Sequence, residues 1–458
     1  MSTPASGPAP DPATDPALQP VAPASSRAAT SPADAHSDAL PGTPVDVLIV
    51  GGGVVGLATA LALAEAGRSV RVIEAGAVGR GASHGNCGTI TPSHAPPLAA
   101  PGTVRQAMKW LLTPDAPLYV HPGLDPMLWR WLFAFARRCN LRDWEASARA
   151  KSALLNDSRV RLPEWIARHG LACDFVEAGE DYVFRTDEAL QHELAELPLL
   201  RELGIAAEVF DGPAYEAAEP AVKPDVAGAI RFTGDAALRP DRYVAELARA
   251  LRACGGELVE HCALHAVREG RDGVEADTAR GTLRAGHVVL ATGAWSPRLA
   301  RAVGLPWMRK VIQPGKGYSI TYDPPEIVPK RPLVLRERSV CVSHWPQGYR
   351  LGSTMEFSGY DDSLNPRRLA ALERGAREYL HVPYSDGVRE RWCGWRPMSR
   401  DDVPLIGLAP ERRRTWLATG HGMMGVGMST GTGQLIADLI AGRAPAVDPA
   451  PFDPARFA

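Results

Sequence analysis

The sequence lacks the marks of a stapled or metal-built scaffold. Its seven cysteines, Cys87, Cys139, Cys173, Cys254, Cys262, Cys341 and Cys393, are odd in number and form no Cys-x-x-Cys pair. That spacing excludes a disulfide framework and a structural zinc site, and no metal is expected. A reducing compartment suits thiols used as small core residues. Charge of one sign is also missing, because 50 Lys and Arg stand against 52 Asp and Glu for a net charge of -2. Nucleic acid is therefore excluded as a main partner, and so is attraction to an anionic bilayer by net charge alone. No apolar run is long enough to cross a membrane. Residues 1–44 contain almost no large apolar side chains and are expected to be disordered. They also lack the basic start, apolar run and twin arginine of export signals.

What remains is a chain of 458 residues, 45% of them hydrophobic, which fits two domains rather than one core. The expected fold class is α/β, with order beginning at Val45. Val45–Val50 reads as a buried strand, Gly51-Gly52-Gly53-Val54-Val55-Gly56 follows, and Leu57–Ala66 reads as a helix ended by Gly67. Val70–Glu74 reads as the next strand. Gly51 allows a tight turn, Gly53 lets backbone approach a pyrophosphate, and Gly56 lets helix pack closely on strand. The helix N-terminus offers N–H groups and positive dipole to phosphates. Glu74, followed by Ala75, lies 23 positions after Gly51, where a carboxylate can take ribose hydroxyls. The alternative, a structural turn that binds nothing, does not explain why all these parts occur in order.

A second glycine loop near the C-terminus decides between dinucleotides. Thr415–Thr419 reads as a strand, Gly420-His421-Gly422-Met423-Met424-Gly425 repeats the glycine spacing, and Gly427–Ala441 reads as a helix. No further strand and acid complete this unit, so it is not a second adenosine cradle. A helix N-terminus can instead face the negative charge of a reduced flavin, which favours FAD over NAD; a helix cap without a ligand is the alternative. Between the loops, Arg242–Cys254 reads as a helix. Glu257–Glu260, Leu264–Glu269, Val274–Ala276 and His287–Ala291 read as strands, with Thr292-Gly293 at the last strand's end.

With these residues in order, together with Gly81-Ala82-Ser83, Pro314–Ser319 and Gly394-Trp395-Arg396-Pro397-Met398, the chain resembles the D-amino-acid oxidase-like flavoproteins from about Val45 to Gly442. Within them it looks most like the bacterial D-amino-acid dehydrogenases. The resemblance implies a Rossmann-like FAD-binding domain from residues 45–125, 211–304 and 391–446. It implies a discontinuous mixed-sheet substrate domain from 126–210 and 305–390, to which strand-like Gly317–Tyr322, Ser339–Trp345 and Tyr349–Gly352 belong. It also implies that Ser83, Asn86, Cys87, Gly88 and Thr89 lie along the flavin; a packed turn is the alternative for Cys87. Two departures bear on substrate: the loop Asn86–His94 is altered, and Val426 stands where the D-alanine-type enzymes carry Trp. The altered loop is closer to the D-hydroxyproline branch.

The expected reaction is oxidative deamination. The substrate carboxylate pairs with Arg396, whose planar fork suits two parallel hydrogen bonds, and the α-hydrogen leaves as hydride. The imine is then hydrolysed, or persists if the substrate is cyclic. Hydride transfer needs positioning more than a strong base, so no base is nominated. Tyr318 and His344 are candidate substrate contacts, against the plainer reading of satisfied core groups, and His421 serves the flavin loop. Cys393 misses by one residue the position at which some relatives hold flavin covalently, so FAD is expected to be non-covalent. A quinone or respiratory carrier is the expected acceptor and the cytoplasm the expected location. The aromatic, Arg-flanked stretch Met127–Arg138 is either a core helix or a segment lying on the inner face of the membrane. The competing functions are a glycine- or sarcosine-type oxidase that makes peroxide, a non-catalytic FAD electron-entry subunit, and an NAD-binding module.

Overall fold

The computed structural model describes residues 43–111, 118–121, 123 and 125–458. The tail expected to be disordered lies outside the described residues up to position 42.

Two large sheets organise the chain. The first has eight strands, and its parallel centre is built from Val45–Val50, flanked by Val70–Ile73 on one side and Gly281–Leu290 on the other. Apart from the exposed Asp46 and the buried Arg71, which pairs with Glu257, its central strands are apolar on both faces, as strands covered by helices must be. Glu257–Val259 extends one edge in parallel, and the meander Leu264–Glu269, Val274–Thr278, Gly281–Leu290 extends the other. Thr415–Thr419 returns from the far end of the chain to pair in parallel with Gly281–Leu290, and Leu405–Leu408 pairs antiparallel with it.

The helix Val54–Glu65 follows the first strand and is buried nearly all round, with Leu57, Ala58, Ala60 and Leu61 at 0% exposure. It is covered by two later helices, Pro240–Ala253 and Ser429–Ile440, within one apolar cluster. Gly433 brings the last helix so near that a β-carbon there would stand 2.6 Å from the Ala58 carbonyl oxygen.

The second sheet has ten mixed strands. Its long central strand, Ile312–Tyr322, pairs antiparallel with Val388–Ser399 on one side and Gly348–Gly352 on the other. Val340–Trp345, Leu333–Leu335, Glu180–Phe184, Gly228–Phe232 and Ala207–Asp211 continue outward in that order. One face packs Val183, Tyr318, Ile320, Leu333, Val342, Tyr349 and Leu351 under the helix Pro366–Tyr379. The expected domain boundaries shift accordingly. Leu118–Val120, Gly228–Phe232 and Val388–Ser399 pair within this second sheet, although the expected ranges gave the first two, and the third from Arg391 onward, to the nucleotide domain.

A helix of 29 residues, Leu141–His169, starts on the side-chain cap Asn140 and ends at Gly170 with φ +59°. It packs on the nucleotide half, where Ser158 accepts the Gly431 N–H at 2.8 Å and Lys151 and Asp402 form an ion pair of 2.7 Å. The helix Pro126–Ala136 divides its aromatic residues. Trp131 is buried and donates to the Val311 carbonyl at 2.9 Å, whereas Trp129 and Phe133 are 53% and 68% exposed. The core reading of that stretch thus describes its Trp131 face, and its other face is exposed. Among the described residues, no helix is long and apolar enough to cross a membrane.

Candidate active site

The first glycine loop is a tight backbone cradle. Gly51 has φ +112°, and a β-carbon there would lie 2.4 Å from the Ala291 carbonyl oxygen. A β-carbon on Gly56 would lie 1.9 Å from the Gly51 carbonyl oxygen. The turn Ala291-Thr292-Gly293 thus lies against the first glycine, as its place after the strand Gly281–Leu290 requires. Glu74, at the end of Val70–Ile73 and just before Ala75, accepts the Gly52 and Gly76 N–H groups at 2.8 and 3.0 Å. Its carboxylate is held at the loop. Gly53, at the N-cap, supplies no side chain, and Ser83 Oγ accepts the Val54 N–H at 3.0 Å.

The second glycine loop meets the first. A β-carbon on Gly425 would stand 3.9 Å from Val55 Cγ2. Gly420 and Gly422 have φ of +79° and +55°, and the Gly422 N–H donates to the Pro397 carbonyl at 3.0 Å. His421 is buried, shares a hydrogen bond of 3.0 Å with Thr432 Oγ1, and is pushed down to about 3 by burial, so it is neutral at pH 7. Met424 approaches Thr91, with Sδ 3.9 Å from Oγ1, and Met423 packs against the same apolar cluster. The helix after this loop begins at Ser429 rather than Gly427.

The segment Ser83–His94 bridges the two sheets. Asn86 Oδ1 accepts the Gly88 N–H at 2.9 Å, and Thr89–Ile90 pairs with Ala236–Ala237. From the second sheet, Ser319 Oγ donates to the Gly85 carbonyl at 2.7 Å and Arg350 to the Asn86 carbonyl at 2.7 Å. Glu390 takes His84 Nε2 at 2.8 Å, so the segment lies along the sheet face that carries Ser319, Arg350 and Glu390.

Strand register decides which candidates share that face, because alternate residues point to opposite sides. Trp392, Gly394 and Arg396 alternate along one strand, and Gly315, Gly317 and Ser319 along its neighbour. Ser319 pairs with Gly352, Gly352 with Cys341, Cys341 with Val334 and Val334 with Tyr182, so all lie on this side. Arg396 lies over Gly317, where a β-carbon would come within 2.3–2.5 Å of the guanidinium. Its Nη1 donates to the Thr354 carbonyl at 2.6 Å, and no carboxylate pairs with it among the described residues. Desolvation lowers its pKa, opposed by the nearby Cys87 and Cys341 thiols. Cys87 Sγ sits 2.5 Å from where a Gly352 β-carbon would be. Its pKa is lowered by a hydrogen bond with Cys341, and Arg350 and Arg396 act in the same direction.

Tyr318 and His344 are on the other side. Tyr318 packs in the cluster under Pro366–Tyr379 and donates to Glu356 Oε2 at 3.1 Å. His344 pairs with Tyr349 of that cluster, and desolvation lowers its pKa. The sheet therefore separates both from Arg396, and neither enters the site proposed below. Cys393 pairs with Tyr318 and packs against that same cluster. The residues that sequence reasoning missed on the Arg396 face are Cys341, Arg350 and Glu180. Two acids opening an otherwise apolar strand, Glu180 and Asp181 before Tyr182, were the available signal for Glu180.

A parallel-centred sheet with a glycine cradle, an acid at the next strand's end and a second loop aimed at the same place defines a dinucleotide-binding oxidoreductase. The chain belongs to the FAD dependent oxidoreductase family, which matches residues 46–439. D-amino acid dehydrogenases of Methylobacterium nodulans and Granulibacter bethesdensis are 34% and 32% identical to it, each over 90% of this chain and 99% of their own. Among solved structures, glycine oxidase from Geobacillus kaustophilus superposes with a TM-score of 0.72 at 24% identity, covering 91% of this chain and 99% of its own. L-proline dehydrogenase from P. horikoshii superposes at 0.68 and 18% identity, covering 91% and 98%. These two likenesses show the fold. FAD is the cofactor, and the cradle's close backbone approach and the Glu74 carboxylate fit its adenosine and pyrophosphate.

Proposed function

We propose that this chain is a dehydrogenase of D-amino acids and cyclic D-imino acids that delivers its electrons to a quinone or similar respiratory carrier. The observation that carries the reading is Arg396, a guanidinium recessed on the sheet face along which the Ser83–Thr89 segment lies, with a carbonyl partner and, among the described residues, no acid. A cation left without a counter-ion in such a place suits a carboxylate that arrives with the substrate. The relatives named D-amino acid dehydrogenase, matched over nearly their full length, support the same substrate class.

Gly51, Gly53, Val55, Gly56, Glu74, Ala75, Ser83, Thr292 and Gly293 hold the adenosine and pyrophosphate end of FAD. Asn86, Cys87, Gly88, Thr89 and the loop Gly420–Gly425 hold the flavin end. Bound FAD supplies the hydride acceptor. Arg396 orients the substrate by its carboxylate, and His421, neutral and tied to Thr432, shapes the loop without moving a proton. The exposed Trp129 and Phe133, with Arg130 and Arg137 beside them, form a surface for peripheral contact with a bilayer, where quinones reside.

The test is the visible spectrum of the purified protein under argon with D-amino acids, D-proline, D-hydroxyproline, glycine and sarcosine. Loss of the oxidised flavin bands with the D-compounds, and little peroxide on readmitting air, is expected. A flavin that none of them bleaches removes the reading, and stoichiometric peroxide replaces the dehydrogenase by an oxidase. Flotation with liposomes reports on the membrane contact; protein that stays at the bottom of the gradient removes it.

A further inference from the structure

Two thiols meet on the Arg396 face. Cys341 stands on the strand Val340–Trp345 and pairs in register with Gly352. Antiparallel partners carry their β-carbons on one side of the sheet, about 4.5–5.5 Å apart. Gly352 has no β-carbon, and Cys87 fills that space: its Sγ lies 2.5 Å from where the β-carbon would be. Cys87 belongs to the segment that bridges the two sheets. Ser319 holds that segment by the Gly85 carbonyl and Arg350 by the Asn86 carbonyl, each at 2.7 Å. Strand register and the missing side chain of Gly352 thus set two cysteines, far apart in sequence, side by side. Both are free thiols, and they share a hydrogen bond.

The two are not equivalent. The hydrogen bond from Cys341 lowers the Cys87 pKa against desolvation, and Arg350 and Arg396 act in the same direction. Arg350 is placed for that effect, because its guanidinium bonds the carbonyl of the residue before Cys87. Cys341 is shifted the opposite way, by the same hydrogen bond first and then by burial. A thiolate is the nucleophile toward peroxide, and a second thiol beside it resolves the product. Cys87 is half-buried and Cys341 buried, so a small oxidant reaches Cys87 first.

We propose that Cys87 and Cys341 form an oxidant-modification site, which hydrogen peroxide closes into a disulfide. The Cys87 thiolate attacks the peroxide and the O–O bond breaks. Cys87 becomes a sulfenic acid, and the hydroxide released takes up a proton to leave as water. The Cys341 sulfur then attacks the Cys87 sulfur, the S–O bond breaks, and the Cys341 proton leaves with that oxygen as a second water. The two thiols are oxidised by two electrons and the peroxide is reduced by two. The bridge ties the Ser83–His94 segment to the second sheet. It forms beside Gly352, two residues before Thr354, whose carbonyl accepts Arg396 Nη1 at 2.6 Å. It displaces the Cys87 side chain from its seat over Gly352 and stops turnover. That last consequence rests on the reading of this face as the amine site; the bridge itself does not.

The experiment treats the FAD-loaded protein with hydrogen peroxide, alkylates free thiols under denaturation and maps the unreduced digest by mass spectrometry. A peptide joining Cys87 to Cys341, two hydrogens lighter than its parts and absent after dithiothreitol, is expected. Anaerobic flavin reduction by D-alanine or D-proline should fall by at least about tenfold, as small misplacements near reacting groups do, and return with dithiothreitol. In Cys341→Ser the link should be absent and Cys87 should remain a sulfenic acid that dimedone captures. FAD absorbance reports folding of the variant, and Cys341→Ala replaces it if the serine protein holds no FAD. Two thiols that stay open to alkylation, a link from either to another cysteine, or oxidation confined to the exposed Cys254 overturns the proposal. A mapped bridge that leaves flavin reduction unchanged overturns its control of turnover. If neither amine reduces the untreated flavin, the dehydrogenase reading falls, and the linked peptide still decides the bridge.

Discussion

Arg396 and Gly317 allow the proposed carboxylate clamp to be broken in two independent ways. Arg396→Leu removes the charge, and loss of a desolvated, hydrogen-bonded charge pair costs about 2–5 kcal/mol, or about 30-fold to several-thousand-fold in kcat/KM. Gly317→Ala leaves the charge and moves it. Its β-carbon would stand 2.3 Å from Nη1, so the guanidinium must retreat by about 1 Å to reach ordinary contact. One of two parallel bonds is then lost, at about 1.5–3 kcal/mol, or about 10- to 150-fold. Anaerobic stopped-flow reduction of the flavin gives KM and the limiting rate separately, and titration with a carboxylate inhibitor lacking the amine gives Kd. Both variants should keep their FAD and lose inhibitor affinity, the leucine variant more. If Arg396→Leu binds substrate and inhibitor as the wild type does, the carboxylate is held elsewhere and the assignment is refuted.

Gly56→Ala should cut FAD content and lower Tm, because its β-carbon would meet the Gly51 carbonyl oxygen at 1.9 Å; full flavin occupancy in that variant would contradict the cradle. Lys151→Met leaves the Asp402 carboxylate buried without its 2.7 Å partner, so denaturant unfolding should show a loss of about 3–5 kcal/mol. Burial raises Asp235 to about 7, with hydrogen bonds from Ser93 acting in the opposite direction. The folded state therefore keeps a proton that the unfolded chain has released, and stability falls as pH rises from about 4 to about 7. Asp235→Asn should remove that part of the slope and raise Tm at pH 8; a Tm profile parallel to the wild type's would count against it.

The nucleotide cradle was legible because its parts are adjacent in sequence: strand, glycines, helix, strand and acid follow within thirty residues of Val45. The role proposed for Arg396 comes from its short motif. The role of Tyr318 was not legible, since which side of a sheet a residue faces depends on its neighbours' register and not on its own segment. Once Gly315 pairs with Arg396 and Tyr318 with Cys393, the two side chains must point apart. Glu180 was hidden for a similar reason. Its strand reaches the Arg396 face only through Leu333–Leu335, Val340–Trp345 and Gly348–Gly352, an order that no local pattern encodes. The domain boundaries slipped where Gly228–Phe232 and Val388–Ser399 crossed into the second sheet, because strands of either sheet look alike as sequence.

The close seat of Gly433 on Ala58 has a consequence for biosynthesis. The helix Val54–Glu65 that opens the cradle is made well before the helix Ser429–Ile440 that covers it and before the strand Thr415–Thr419. Until then the apolar faces of Val54–Glu65 stay open, and contacts so far apart in the chain form slowly. The nascent protein is exposed to aggregation in that interval, and the cradle is covered only when the later helix docks.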